Sequence, residues 1–174
     1  MGNPRHLWLL GLSGSGKSTV GLRLAQTLAL PWVDTDAEIA RESGKSIPQI
    51  FQEHGEKAFR EKESAVLKKV AASPASVISC GGGIVLSEAN RQTMASTGIR
   101  IYLQADPATL ARRLGASSNR PLLSGKNPEE ILAAQLAQRA PGYEDSEIKI
   151  QVDRMKPDEV VAAIREKLPA PWPR

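Results

Sequence analysis

The stretch His6-Leu7-Trp8-Leu9-Leu10-Gly11-Leu12-Ser13-Gly14-Ser15-Gly16-Lys17-Ser18 decides the fold, together with the residues that follow it to Leu28. The short apolar run from His6 to Leu10 reads as a buried strand. Lys17 to Leu28 places Val20, Leu24 and Leu28 four residues apart, the spacing of one helical face. Between them, Gly11 to Ser18 matches G-x-x-x-x-G-K-[ST] at every defined position. Its glycines let the backbone curl until successive N–H groups point at phosphate oxygens, and the helix that follows turns its positive end toward the same anion. Gly14, Ser15, Gly16, Lys17, Ser18 and Thr19 are therefore candidate nucleotide-binding residues. Lys17 can bridge the β- and γ-phosphates, and the Ser18 hydroxyl can ligate Mg²⁺. A chance glycine-rich turn is the bland alternative, and the strand before and helix after count against it. No N-K-x-D stretch is present to read guanine, so ATP is expected rather than GTP.

Outward from this stretch, short apolar runs alternate with helical patterns. Strands are expected at 31–33, 76–79, 99–103 and 148–152. Helices are expected at 36–42, 47–54, 56–72, 88–96, 107–114, 128–139 and 157–168, with breaks at Gly44 and Gly55 and caps at Ser46 and Ser87. Residues 115–126 carry no periodicity and read as a mobile loop, and the Pro-rich tail from Pro169 reads as frayed. Strands alternating with helices predict an α/β fold with a parallel sheet covered on both faces, and ligands at the carboxyl ends of its strands.

At 174 residues the chain suits a single domain. Aromatics make up only 4%, too few to suggest the base-stacking surface of a single-strand binder. The net charge of +4 fits small anionic substrates and is too weak to argue for nucleic acid. Cys80 is the single cysteine, so no intrachain disulfide can form. No apolar run approaches the length of a membrane span. The run after Arg5 leads straight into the glycine loop, unlike a signal peptide, and His6 stands where a myristoylation motif needs Ser or Thr. A cytoplasmic protein is expected, and a monomer, since no exposed apolar stripe is evident.

Asp34 and Asp36 follow the second strand, two apart and so on the same side. Asp34 can hold Mg²⁺. Asp36 can bind a substrate hydroxyl and accept its proton, or simply cap the next helix. Gly81-Gly82-Gly83 closes the third strand, which implies either close approach of a ligand or a tight turn. Cys80 beside it reads as a packing residue. Arg60 lies between Glu56 and Glu63 at helical spacing, so a solvated ion-pair face stands against a functional role. Arg139 ends an expected helix, where a cation suits the dipole without any function. Arg120 lies in the 115–126 loop and can close over a transferring phosphoryl group. His6 and His54 have no metal-ligand spacing and read as structural.

Taken in order, Gly11–Ser18, Asp34-Thr35-Asp36, Phe59-Arg60-Glu61-Lys62-Glu63, Gly81-Gly82-Gly83, Arg120-Pro121-Leu122-Leu123 and Arg139-Ala140-Pro141-Gly142-Tyr143 resemble the shikimate kinase family, from about Leu7 to Leu168. The resemblance implies a three-layer α/β/α P-loop kinase fold with a five-stranded parallel sheet. Its core would be 1–35, 73–110 and 140–168, with a substrate-binding segment at about 36–72, a lid at about 112–126 and a tail at 169–174. It implies transfer of the γ-phosphoryl of MgATP to the 3-hydroxyl of shikimate, a step toward chorismate and the aromatic amino acids. Asp36 would contact shikimate hydroxyls, Arg60 and Arg139 its carboxylate, and Gly81 to Gly83 its other edge. Lys17, Asp36 and Arg120 would be catalytic, and Arg112 would flank the adenine. Gluconate kinase is the nearest enzymatic alternative, with a similar phosphate loop but no call for the Arg60 and Arg139 pair. A nucleotide-dependent regulator without chemistry is the alternative of another class, and intact Lys17, Ser18, Asp34 and Asp36 count against it.

Overall fold

The run His6–Leu10 forms β1, in which Leu7, Trp8, Leu9 and Leu10 are at most 1% exposed. Burial on both faces is the mark of a central strand in a parallel sheet, and each such leucine contributes about 1.5–3 kcal/mol relative to exposure. The computed structural model describes residues 6–115, 127–170 and 172. In it β1 lies between β3 (Ser76–Ser79) and β4 (Gly98–Gln104), with β2 (Trp32–Asp34) beyond β3 and β5 (Ile148–Gln151) beyond β4. The order is β2-β3-β1-β4-β5 and every pairing is parallel. At the edge, β5 alternates buried Ile148 and Ile150 with exposed Lys149 and Gln151, so one of its faces meets water.

Helix α1 (Lys17–Leu28) connects β1 to β2. Helices α2 (Thr35–Ser43) and α3 (Ile47–Ala71) connect β2 to β3, and α4 (Glu88–Thr97) connects β3 to β4. Helices α5 (Pro107–Gly115) and α6 (Pro128–Glu144) lie between β4 and β5, and α7 (Pro157–Lys167) follows β5. Right-handed crossovers put α1 on one face and α3 and α4 on the other. The contacts agree: α1 lies against α7 and β3, while α3 lies against α4, and α4 against β4. This is the expected three-layer arrangement with a five-stranded parallel sheet.

Several local expectations are met and some are not. Ser46 caps α3 in a reciprocal box with Gln49, at 3.3 and 2.8 Å. The two helices expected on either side of Gly55 form one run with a sharp kink there, at φ 79° and ψ 176°. Ser87 caps α4 through the Asn90 N–H. Helix α6 does not stop at Arg139. It runs through Pro141 to Glu144, because Gly142 fits closely against Val85 and Tyr143 is fully buried, stacked on Tyr102 at 4.8 Å. Arg139 is therefore not a last-turn cation, and its dipole role falls away. The tail is not wholly frayed, since Trp172 turns back onto the core. Residues 36–72 are α2 and α3, packed on each other. Of the expected lid, residues 112–115 belong to α5, and 116–126, Arg120 included, lie outside the described residues. No helix among the described residues is long and apolar enough to cross a membrane.

Candidate active site

Because the strands are parallel, the Gly11–Gly16 loop, Asp34 to Asp36 and Cys80 to Gly83 all emerge at one edge of the sheet. They line a cleft of about 250 Å³ that brings together Gly14, Gly16, Lys17, Ser18, Thr19, Asp34, Asp36, Gly81 and Gly82. Gly14 and Gly16 have φ of 86° and 93°, the left-handed conformations that turn the loop around the site. Lys17 arches over the loop, its Nζ donating to the carbonyls of Gly11 at 2.7 Å and Leu12 at 3.0 Å. Ser15 is buried beneath it.

Ser18 Oγ donates to Asp34 Oδ2 at 3.0 Å, and Asp34 Oδ1 accepts from the Ala37 N–H at 3.1 Å. Asp34, rather than Asp36, therefore caps α2, which leaves Asp36 in the first turn with its carboxylate turned to the cleft. The described residues contain no cluster of three His, Cys, Asp or Glu able to hold a metal ion. A hydroxyl and a carboxylate oxygen side by side do suit Mg²⁺, which takes one or two protein oxygens and completes its shell with phosphate and water. The phosphate loop is braced from behind. The Trp32 indole donates to Ser79 Oγ at 3.0 Å, and Ser79 Oγ donates to the Lys17 carbonyl at 2.7 Å.

The three glycines are explained by what crowds them. A Cβ on Gly81 would lie 2.6 Å from Asp36 Oδ1 and 2.9 Å from Glu63 Oε2, and one on Gly82 would lie 3.1 Å from Arg139 Nη1. A Cβ on Gly83 would collide with the Arg60 guanidinium. The run is thus more than a tight turn, because only bare backbone lets two carboxylates and two guanidinium groups close in on it. The Gly81 N–H donates to Thr35 Oγ1 at 2.9 Å, and Tyr143 donates its hydroxyl to the Gly82 carbonyl. Arg60 and Gly83 also line a neighbouring cavity of about 460 Å³.

Arg60 is not on a wholly solvated face. Its contact with exposed Glu56 is a long 3.5 Å, whereas it donates to Glu63 at 2.9 Å, and Glu63 is 1% exposed. Burial pushes the Glu63 carboxyl up to about 7 despite Arg60. Cys80 is buried, which pushes its thiol well above the usual range, as a packing residue rather than a nucleophile requires. His6 is buried against Trp8, with Nε2 3.3 Å from the Ala71 carbonyl, in keeping with a structural role.

The structure adds residues that spacing does not reveal. Arg112 bonds Thr109 on its own helix, whereas Arg113 reaches the Gly14 carbonyl at 3.2 Å and the Val152 carbonyl at 3.0 Å, joining the phosphate loop to the segment before α7. Glu63, Tyr143 and Ser79 likewise owe their places to tertiary packing. For Glu63 the sequence signals are its i,i+3 spacing to Arg60 and its place in the Phe59–Glu63 stretch, and neither says which side is buried.

Residues 13–169 match the family model described as shikimate kinase. A shikimate kinase from Symbiobacterium thermophilum is 42% identical over 166 residues, which span 94% of this chain and 95% of the relative. The solved structure of a shikimate kinase from Acinetobacter baumannii in complex with shikimate superposes with a TM-score of 0.87 at 34% identity, covering 92% of this chain and 90% of that one. A gluconokinase from Sinorhizobium meliloti, at a TM-score of 0.65 and 20% identity over 94% of this chain and 91% of that one, shares the fold alone. The three layers, the phosphate loop and the extent of these matches agree: the chain has the P-loop kinase fold and belongs to the shikimate kinase family.

Proposed function

We propose that the protein transfers the γ-phosphoryl group of ATP to the 3-hydroxyl of shikimate, giving shikimate 3-phosphate and ADP in the route to chorismate and aromatic amino acids. The observation that carries the choice of acceptor is the convergence of Arg60 and Arg139 on Gly82 and Gly83, next to the cleft lined by Lys17 and Asp36. Two guanidinium groups suit a carboxylate, which a neutral sugar lacks. Gluconate also carries one, so the membership of the shikimate kinase family supports shikimate over it.

In this assignment the backbone from Gly14 to Thr19 and the Lys17 ammonium hold the triphosphate. Ser18 and Asp34 would hold Mg²⁺, which supplies positive charge to the β- and γ-phosphates. Arg60 and Arg139 fix the acceptor through its carboxylate, and Gly81 to Gly83 flank it with backbone. Asp36 aligns the attacking hydroxyl and accepts its proton as the new O–P bond forms. Lys17 and Arg120 neutralise charge on the transferring group, so rate comes from positioning and electrostatics without a covalent intermediate. Residues 36–72 act as the substrate segment and 112–126 as the lid, with Arg112 beside the adenine. We place the protein in the cytoplasm as a monomer.

A coupled assay of ADP release with shikimate, with gluconate and with no acceptor tests the assignment. Release with shikimate alone is expected. Release with gluconate would favour the sugar-acid reading, and nucleotide binding with no release under any condition would favour a regulator.

A further inference from the structure

Glu63 faces the acceptor site from α3, and its two oxygens have unlike surroundings. Oε1 accepts from Arg60 Nη1 at 2.9 Å, while Oε2 is buried and receives no hydrogen bond among the described residues. Oε2 and Asp36 Oδ1 both approach the position a Cβ on Gly81 would occupy, at 2.9 and 2.6 Å, so two carboxylates face one another across bare backbone. Charged and titratable groups surround Glu63 from every packed element. They are Arg60 and, through it, Glu56 on α3, Asp36 on α2, Cys80 at the end of β3, and Arg139 and Tyr143 on α6. Burial pushes the carboxyl up to about 7, Arg60 and Arg139 pull it down, and Asp36 adds to the rise.

We infer that Glu63 takes up a proton when the acceptor's carboxylate binds Arg60 and Arg139. This rests on the proposed assignment of the acceptor site. The two cations that favour ionised Glu63 are the two assigned to the acceptor. An incoming carboxylate offsets both charges and displaces water, and each change favours the neutral acid. The proton comes from the buffer and forms an O–H bond on Glu63, while the acceptor's carboxylate stays ionised. The protonated Oε2 gains a hydrogen to donate toward Asp36, which gives the buried oxygen the role it lacks as an anion. Glu63 is thus a positioning residue that makes the site sensitive to acceptor charge.

The sign follows from linkage. Binding that raises the pKa of a carboxyl is favoured at low pH. Affinity for the acceptor is level below the free-state value near 7 and falls above it, by up to about tenfold per pH unit, until the bound-state value is passed.

The test is calorimetric titration of the full chain with shikimate at a series of pH values through and above the region near 7 where burial places the free carboxyl. Phosphate and Tris serve as buffers of different ionisation enthalpy, and the dissociation constant is followed with pH. The wild type is expected to take up a fraction of one proton and to bind more weakly as pH rises. Glu63→Gln mimics the neutral acid, with an oxygen for Arg60 and an N–H for Asp36, and is expected to bind with no proton uptake and a level pH profile. A buffer-independent enthalpy in the wild type, or the same uptake in Glu63→Gln, overturns the inference. Binding that is absent, or indifferent to Arg60→Ala, overturns the acceptor-site assignment and the inference with it. Binding that needs Arg60 and moves no proton overturns the proton uptake alone.

Discussion

The two ends of the cleft are built on opposite plans. The phosphate end is, apart from Asp34, one unbroken stretch from the end of β1 into the first turn of α1, and its assigned working groups are mainly backbone N–H groups and one lysine. The acceptor end is gathered from α2, α3, the end of β3 and α6, and its working groups are side chains held by one another. Chemistry done by backbone follows from a local motif. Chemistry done by distant side chains depends on the whole fold, so errors in one member spread to its neighbours.

Substitutions can break this contrast or sharpen it. Lys17→Met should have the largest effect, lowering kcat by about 10²–10³-fold or more through the loss of one preorganised charge, with the fold retained. Retained turnover in that variant would remove Lys17 from the mechanism. Arg60→Ala should come next. Losing one member of a buried charge pair costs about 2–5 kcal/mol, so KM for shikimate should rise at least about 30-fold while KM for ATP stays within about twofold. A parallel rise in both constants would mean that the two ends are not independent. Gly83→Ala should act on the same constant without touching a charge, because the new methyl must push the Arg60 guanidinium aside. A flexible side chain can yield, so KM for shikimate should rise by about tenfold with the fold retained, roughly a 1.4 kcal/mol effect. Tyr143→Phe should be the mildest. It removes the hydrogen bond to the Gly82 carbonyl, at a cost of about 0.5–1.5 kcal/mol of stability by thermal denaturation and only a few-fold in KM for shikimate.

The same contrast explains what could be read from the sequence. His6–Leu10, Lys17–Leu28 and Ser76–Ser79 lie where periodicity puts them, because continuous apolar runs and four-residue spacing are local signals. Gly55 as a breaker and Ser46 and Ser87 as caps are local too. The end of α6 was not legible, because Pro141 argues for a stop and only the fit of Gly142 on Val85 and of Tyr143 on Tyr102 overrules it. The sequence offers Asp36 as a possible cap of the next helix and does not show that the Ala37 N–H goes to Asp34 instead, because that choice depends on where the helix begins. Glu63 looked like a surface partner of Arg60, since spacing along a helix does not tell which face the sheet will cover. Arg113 carries no sequence signal of its own, because adjacent arginines differ only in which way the helix turns them, and only the fold brings it to the Gly14 carbonyl.

The brace behind the phosphate loop has a spectroscopic consequence. Of the three tryptophans, Trp8 is sealed in the core, whereas the Trp32 indole is one hydroxyl away from the Lys17 carbonyl. Its emission therefore senses the polarity and rigidity of the first turn of α1. Nucleotide titrations can be followed by the protein's own fluorescence with no dye attached, and Trp32→Phe, which keeps the emission of Trp8 and Trp172, is the control that should lose the response.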